Sequence, residues 1–225
     1  MLTAGCAPGG QGRVDPRGFR AFFLWAGVRA PAWLGDAEEV YVLSGEVRRG
    51  DPARIAVLRP QPPRGVSAAL WLVIRAERLD WSAADFAQIL ADLRRWEGMG
   101  NQVRGLQVDF DAATRGLAGY ATFLADLRRR LPARWRLSIT GLMDWSANGD
   151  PAALAGLAGV VDELVVQTYQ GRVTIPGYEA YLARIARLPV PYKVALVEGG
   201  EWREPPGLAR DPQFRGFVVF LVNPR

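Results

Sequence analysis

One short segment of this sequence carries polar side chains with the spacing of an acid–base site. Gln107, Asp109 and Asp111 alternate with apolar residues, and the two-residue period of a strand places all three side chains on one face. Neighbouring carboxylates raise each other's pKa, which can keep one of them protonated at neutral pH. The segment therefore predicts a catalytic or ligand-binding group. The alternative is a structural hydrogen-bond network with Thr140 and Gln167.

Polar and aromatic side chains also follow other apolar runs of the sequence, at the points where those runs end. Tyr169 shares a strand face with Gln167, and Glu198 directly follows the run Val194–Val197. Carboxyl, amide and phenol groups at such ends are suited to substrate binding and general acid–base catalysis. Tryptophans there either stack on a sugar ring or are buried, as most tryptophans are. The other candidates of this kind are Trp25, Glu46, Arg75, Asp144 and Trp145.

The absence of histidine limits the chemistry of these groups. The 225 residues include no His and one Cys, which excludes Ser-His-Asp and Cys-His pairs, His-ligated zinc and a disulfide framework. Acid–base work is left to Asp, Glu, Tyr and the single lysine, Lys193. Lys193 precedes its apolar run, so we expect no Schiff base there. The glycines lack phosphate-loop spacing, and we predict no cofactor and no metal.

The net charge of +5 and the isoelectric point near 9.9 raise the question of a nucleic-acid partner. The basic residues are scattered, and the densest run, Arg128–Arg130, falls in the last turn of a predicted helix. Positive charge at that end complements the helix macrodipole. No nucleic-acid-binding motif accompanies the charge, so we predict no such partner.

Apolar runs alternate with amphipathic stretches along most of the chain, a pattern typical of a parallel sheet covered by helices. Ser82 and Asp85 have the spacing of a capping box, and Pro132 ends the next helical stretch. Eight strand units in this length predict a compact (β/α)8 TIM-like barrel, whose functional groups gather at the carboxyl ends of its strands. The predicted strands are Phe22–Trp25, Val40–Leu43, Leu70–Ile74, Gly105–Asp111, Arg136–Thr140, Leu164–Tyr169, Val194–Val197 and Phe217–Leu221.

Two parts of the chain depart from regular barrel repeats. Arg54–Leu58, followed by several prolines, predicts a hairpin partner for the second strand in place of a crossover helix. The sequence also ends without an eighth helix. We expect one barrel domain over residues 17–225 and a flexible, glycine-rich tether over residues 1–16.

The first six residues resemble the end of a bacterial lipoprotein signal peptide. Ala4 and Gly5 precede Cys6 as small residues do in that family, and the resemblance implies a lipidated Cys6 and an envelope or periplasmic location. The charged and apolar segments that normally precede such a motif are absent, which implies an incomplete start. The alternative is an incidental cysteine in a cytoplasmic protein. No other segment is long and apolar enough to span a membrane.

The stretch from Gly105 to Glu198, with QVDFDA, SITGLMDW, VVQTYQG and ALVEG, resembles the bacterial domain of unknown function 3142 family. That family is regarded as a TIM-barrel relative of glycoside hydrolases. More distantly, the chain resembles chitinase-like glycosidases, whose fourth strand carries Asp-x-Asp-x-Glu. The resemblance aligns that motif with Gln107, Asp109 and Asp111, and aligns Tyr169 with a tyrosine that steadies the reacting acetamido group. Gln107 and the shorter Asp111 depart from the motif.

The residues and the resemblance together predict a glycoside-hydrolase-like protein acting on a cell-envelope or extracellular polysaccharide. Asp111 is the expected proton donor, with Asp109 as its partner, and Glu198 or Asp144 is the expected nucleophile or base. Tyr169 and Gln167 are expected to hold the substrate. The alternative is a non-catalytic, carbohydrate-binding or scaffolding envelope lipoprotein.

Overall fold

Eight parallel strands form a closed barrel in the computed structural model, which describes residues 12–50, 55–62, 67–111, 116–143, 145, 149–185 and 190–223. Each strand pairs with the next along the chain, and the first also pairs with the last, which closes the barrel. The predicted (β/α)8 barrel is thus confirmed. The strands are β1 (Ala21–Leu24), β2 (Glu39–Val47), β3 (Ala69–Ala76), β4 (Val103–Asp109), β5 (Arg136–Leu142), β6 (Glu163–Gln167), β7 (Tyr192–Val197) and β8 (Phe214–Phe220).

Alternation along each strand divides the core into two parts. On β4, Leu106 and Val108 belong to the larger apolar cluster between the barrel and its helices, whereas Gln107 and Asp109 point into the lumen. A smaller cluster fills the lumen with side chains such as Phe23 and Trp71. Side chains that point inward near the carboxyl ends of the strands therefore lie above a part of the lumen that is filled with apolar side chains.

Helices cover the barrel mainly between β3 and β7. Ser82 and Asp85 form the predicted capping box at the start of the first helix: the Ser82 hydroxyl accepts the Asp85 N–H at 3.1 Å, and the Asp85 carboxylate accepts the Ser82 N–H at 2.7 Å. None of the helices in the described ranges is long and apolar enough to cross a membrane. The helices are α1 (Ala83–Gly98), α2 (Leu117–Arg130), α3 (Pro151–Ala155) and α4 (Tyr178–Ile185), with shorter 3-10 turns at Pro16–Gly18, Ala32–Asp36 and Leu208–Arg210.

The connection after β2 turns back on that strand, as the sequence predicts. Ala56–Val57 pairs antiparallel with Gly45 and Glu46 of β2, and Gly45 allows the close approach because a Cβ there would lie 2.7 Å from the Ile55 side chain. The prolines that follow favour an edge position of this kind.

The amino-terminal segment joins the barrel before residue 17. Gly12–Arg13 pairs antiparallel with Glu201–Trp202 in the loop after β7, and Val14 is buried with its N–H bonded to the Gly200 carbonyl at 2.9 Å. The expected tether over residues 1–16 is therefore anchored to the barrel from residue 12 onward. Its first eleven residues lie outside the described part of the chain.

A buried ionic network occupies the lumen at the amino ends of the strands. Lys193 of β7 bonds to Glu39 of β2, lies 3.1 Å from the Glu163 carboxylate of β6, and donates to the Tyr41 hydroxyl at 2.9 Å. Tyr41 in turn donates to Glu163 at 2.6 Å. Burial alone would raise the pKa of Glu39, but the positive charge of Lys193 and its hydrogen bond hold that pKa below its ordinary value. Lys193 is thus paired with carboxylates at the end of the barrel opposite the predicted site.

The arginine run at the end of α2 is used within the structure. Arg128 donates to the carbonyls of Leu131 and Trp135 at 2.8 and 3.1 Å, while Arg129 and Arg130 pair with Asp126 at 2.8 and 2.7 Å. The Arg128 bonds satisfy carbonyls just beyond the end of α2, where positive charge is favourable.

Candidate active site at the carboxyl ends of the strands

A row of charged side chains crosses the carboxyl ends of three neighbouring strands. Glu46 of β2 is the register partner of Arg75 of β3, and Arg75 is the register partner of Asp109 of β4. The side chains of the row are acidic, basic and acidic in turn. Arg48, which is not part of the row, donates to the Glu46 carboxylate at 3.0 Å. Three of the predicted site residues are therefore brought together by strand pairing alone.

Asp109 lies at the buried end of this row, with 7% of its surface exposed. The Thr140 hydroxyl donates to its carboxylate at 2.8 Å. Burial raises the pKa of Asp109 to about 6; the Thr140 hydrogen bond and the charge of Arg75 oppose this rise, while the charges of Asp111 and Glu46 add to it. Asp109 can consequently exist either as a neutral hydrogen-bond donor or as an acceptor near neutral pH.

Asp111 lies just past the end of β4 and is exposed. Its charge raises the pKa of both Asp109 and Tyr169, so the three groups interact electrostatically. The pair at the end of β4 thus combines a buried acid with a raised pKa and an accessible carboxyl group. Two carboxyl groups whose environments differ in this way are a common arrangement for acid–base catalysis.

Tyr169 lies in a short strand, Tyr169–Gln170, just after β6, and interacts electrostatically with these carboxyl groups. Burial raises the pKa of its hydroxyl well above the ordinary value, the charge of Asp109 raises it further, and a hydrogen bond with Gln167 opposes the shift. The ring packs against Phe220 of β8, with centroids 5.4 Å apart. Tyr169 therefore keeps its proton across the physiological pH range and can donate a hydrogen bond to a ligand.

Tyr120 is a neighbour of the site that sequence reasoning did not find. It is fully buried on α2, its ring lies 5.1 Å from that of Phe110, and its hydroxyl has no hydrogen-bond partner among the described residues. Burial raises the pKa of Tyr120, and the charges of Asp109 and Asp111 add to the effect. In the sequence, Tyr120 occupies one position on the apolar face of a predicted helix, so no pattern distinguished it from a residue of the hydrophobic core.

Other predicted site residues lie lower in the lumen or to one side of the carboxyl pair. Gln107 is fully buried and donates to the Ser138 hydroxyl at 2.9 Å, within the network that includes Glu163. Glu198, at the end of β7, is half-buried, and its carboxylate accepts the Val222 N–H at 3.0 Å.

The two predicted aromatic positions differ in burial. Trp25 is half-buried, with its ring 5.3 Å from that of Phe220. Trp145 is 1% exposed and packs beside Tyr120 at 6.2 Å, so its ring offers little surface to a sugar. Asp144 and Cys6 lie outside the described residues.

The described residues contain no cluster of three or more His, Cys, Asp or Glu side chains suited to a metal ion. The chemistry that the described groups themselves can perform is carboxyl proton transfer and hydrogen bonding.

A closed barrel of eight parallel strands, with charged groups at the carboxyl ends of those strands, defines a protein of the (β/α)8 TIM-barrel class. The chain belongs to the family described as domain of unknown function DUF3142, whose family model matches residues 63–196. This confirms the family predicted from the sequence. A search of curated proteins found no match.

Solved structures with the same fold include carbohydrate-active proteins. The spore cortex-lytic enzyme SleL of Bacillus cereus is 17% identical with a TM-score of 0.51, and the match covers 80% of this chain and 50% of that one. The chitinase domain of the spore coat protein CotE of Clostridium difficile is 9% identical with a TM-score of 0.54, with 87% and 68% covered. This chain thus spans half the length of SleL.

A third structure of similar fold is the xylanase and alpha-amylase inhibitor protein XAIP-II from Scadoxus multiflorus. It is 11% identical with a TM-score of 0.55, and the match covers 89% of this chain and 92% of that one. At such low identities these likenesses establish the barrel fold.

Proposed function

We propose that this protein is a glycoside hydrolase that acts on a cell-envelope or extracellular polysaccharide by carboxyl acid–base chemistry. The observation that carries the proposal is the pair at the end of β4, in which Asp109 has a pKa of about 6 and Asp111 is exposed. The enzymes among the structural neighbours, named for chitinase and cortex-lytic activity, support a glycan substrate.

The exposed carboxyl group is the one that can reach a glycosidic oxygen. Asp111 gives its proton to that oxygen as the bond from the sugar carbon to the oxygen breaks, and water adds to the carbon after losing a proton to a second carboxylate. Glu198 and Asp144 are the candidates for the second carboxylate. Asp109, when protonated, donates a hydrogen bond towards the ligand, and Tyr169 donates a second.

Replacing Asp111 tests the enzymatic proposal. We expect Asp111→Asn to reduce the release of new sugar reducing ends by about a hundredfold or more. Its melting temperature should stay close to that of the wild type, because Asp111 is exposed. The assay uses amino-sugar and neutral polysaccharides between about pH 4 and 8, a span that includes the pKa of Asp109 at about 6.

Asp36→Asn provides the matched control, since Asp36 is also exposed but lies in the 3-10 turn before β2. If Asp111→Asn hydrolyses the same glycan as fast as the wild type, the proposed role of Asp111 is wrong. If Asp111→Asn unfolds while Asp36→Asn stays folded, the role of the carboxyl pair is to stabilise the structure.

A second candidate function is glycan binding or scaffolding without turnover. It is favoured by Gln107, which cannot exchange a proton and is fully buried, and by the short side chain of Asp111. The structural neighbour XAIP-II is named as an inhibitor and has a barrel of the same kind. Binding to the same panel of polysaccharides without any product would favour this function over hydrolysis.

A further inference from the structure

A groove of about 920 Å³ lies beyond the ends of β6 and β7. Its walls are the amino-terminal segment with Arg13, the loop after β6 with Arg172 and Thr174, and the loop after β7 with Arg203. This volume is within the usual range for ligand-binding clefts, about 300–1,000 Å³. None of Asp109, Asp111 or Tyr169 lines it, so the groove is distinct from the candidate active site.

One short hairpin connects the wall of the groove to Tyr169 of that site. Tyr169–Gln170 pairs antiparallel with Val173–Thr174, so Thr174 in the groove wall is the register partner of Tyr169. On the other wall, a Cβ at Gly200 would lie 2.7 Å from the Thr174 hydroxyl. The glycine thus lets the two loops meet at the base of the groove.

Three guanidinium groups line the groove without carboxylate partners. Arg13, Arg172 and Arg203 are exposed and form no ion pair with any described carboxylate. This differs from the arginines of α2, which pair with Asp126 and Asp162.

Two acidic residues, Glu179 and Glu201, also line the groove and are likewise unpaired. The charged side chains of the lining therefore have a net charge of +1. Because none of these five side chains forms an ion pair with a described residue, both the arginines and the glutamates are free to contact a ligand.

The positions of two of these arginines are fixed by their surroundings. Arg172 donates to the Asn223 carbonyl at 3.0 Å. The backbone of Arg203 is held on both sides by Tyr178, whose hydroxyl accepts the Arg203 N–H at 2.6 Å and donates to its carbonyl at 2.8 Å. Tyr178 stacks on Trp202 with ring centroids 4.7 Å apart. The Arg172 side chain and the Arg203 backbone therefore need little further ordering when a ligand binds, which favours affinity.

We propose that this groove binds an acidic oligosaccharide, a glycan that carries carboxylate groups along its chain. Guanidinium groups bind carboxylates through two parallel hydrogen bonds, which makes Arg172 and Arg203 specific donors for such groups. Glu179 and Glu201 accept hydrogen bonds from the sugar hydroxyls. The inference rests on the proposed function and narrows its substrate class to polysaccharides with uronic acid units.

The test compares two glycans with their uncharged derivatives by calorimetry on the whole chain. The pairs are oligogalacturonate with its methyl ester, and hyaluronan oligosaccharides with their carboxyl-reduced form. We expect the wild type to bind the charged member about a hundredfold more tightly, and Arg172→Gln or Arg203→Gln each to remove about tenfold of that affinity. Binding of the uncharged members should not change.

Arg94→Gln is the matched control, because Arg94 is an exposed arginine on α1, away from the groove. Equal affinity for charged and uncharged members of both pairs would overturn the proposal. It would equally be overturned if Arg94→Gln weakened binding as much as the groove variants do, or if single-stranded DNA bound as well and lost affinity in the same variants.

The outcome is separable from that of the catalytic proposal. Hydrolysis of a neutral glycan without any preference for acidic chains would overturn the groove proposal alone. Arginine-dependent binding of the acidic chains, with no product from any glycan, would overturn the catalytic proposal alone. If no glycan is bound or cleaved, both are wrong.

Discussion

Asp109 combines a buried carboxyl group with a raised pKa, and this combination makes its contribution to stability depend on pH. The folded protein holds this proton up to about pH 6, whereas an unfolded chain releases it near pH 4. Between these values the folded state binds more protons than the unfolded state. The free energy of unfolding therefore falls as pH rises through this window, and the group adds no slope above it.

Asp109→Asn should remove this dependence, because an amide stays neutral and its oxygen can still accept the Thr140 hydroxyl. We expect the variant to be more stable than the wild type at pH 7, by about 3 kcal/mol at most, and to show a flatter profile between about pH 4 and 6. Urea unfolding at several pH values measures both effects. Asp36→Asn, at an exposed position, should leave the profile unchanged, and an unchanged profile in Asp109→Asn as well would show that the raised pKa is wrong.

The sequence was sufficient to place the side chains of β4, but not to distinguish their environments. The two-residue period predicted that Gln107, Asp109 and Asp111 share a face; the strand turns Gln107 and Asp109 towards the lumen but ends before Asp111. Depth within the barrel depends on how far each strand extends, which no local pattern encodes. Gln107 is consequently enclosed beside Ser138, while Asp111 is exposed.

Among the secondary-structure elements, β4 and β5 approach each other unusually closely at one position. A Cβ at Gly105 would lie 2.0 Å from the Arg136 carbonyl oxygen. Glycine in a strand interior often marks such an approach of two backbones. The contact lies on the same two strands that carry Asp109 and Thr140, four residues before that hydrogen-bonded pair.

We expect Gly105→Ala to force the two strands apart and to destabilise the protein by about 1–3 kcal/mol, as overpacking usually does. Gly119→Ala is the matched control: Gly119 lies within α2, with nothing within 4 Å of a Cβ there, so alanine should stabilise that helix by about 0.5–1 kcal/mol. Urea unfolding of both variants provides the comparison. Equal stability of Gly105→Ala and the wild type would contradict the close contact.

The secondary-structure elements that carry a recognisable local sequence pattern were predicted from the sequence. The elements that lack such a pattern were not. The capping box at Ser82 and the proline at 132 bounded α1 and α2, and the apolar stretch with its prolines predicted the strand that pairs with β2. The strand Gly12–Arg13 had no such signal. It forms because its partner, Glu201–Trp202, lies nearly the whole chain away, and distant pairing leaves no local pattern.

At the scale of the whole molecule, closure of the barrel brings together charges that are far apart in the sequence. Six of the eight strands contribute to the network around Lys193 in the lumen, through Tyr41, Glu39, Trp71, Gln107, Ser138, Glu163 and Lys193. The sequence predicted that Lys193 lies at an amino end. It could not predict the partners, because they meet only when β2, β6 and β7 face one another across the closed barrel.

The network makes the stability of the barrel sensitive to the single lysine. Lys193→Met would leave Glu39 and Glu163 buried, each 8% exposed, without the ammonium group between them. Removing one partner of a buried ion pair typically destabilises a protein by about 3–5 kcal/mol, whereas replacing the whole group by neutral residues is often harmless. We therefore expect Lys193→Met to lower the urea midpoint markedly. The triple variant Lys193→Met, Glu39→Gln, Glu163→Gln should recover most of the loss, and a single variant as stable as the wild type would contradict the buried pairing.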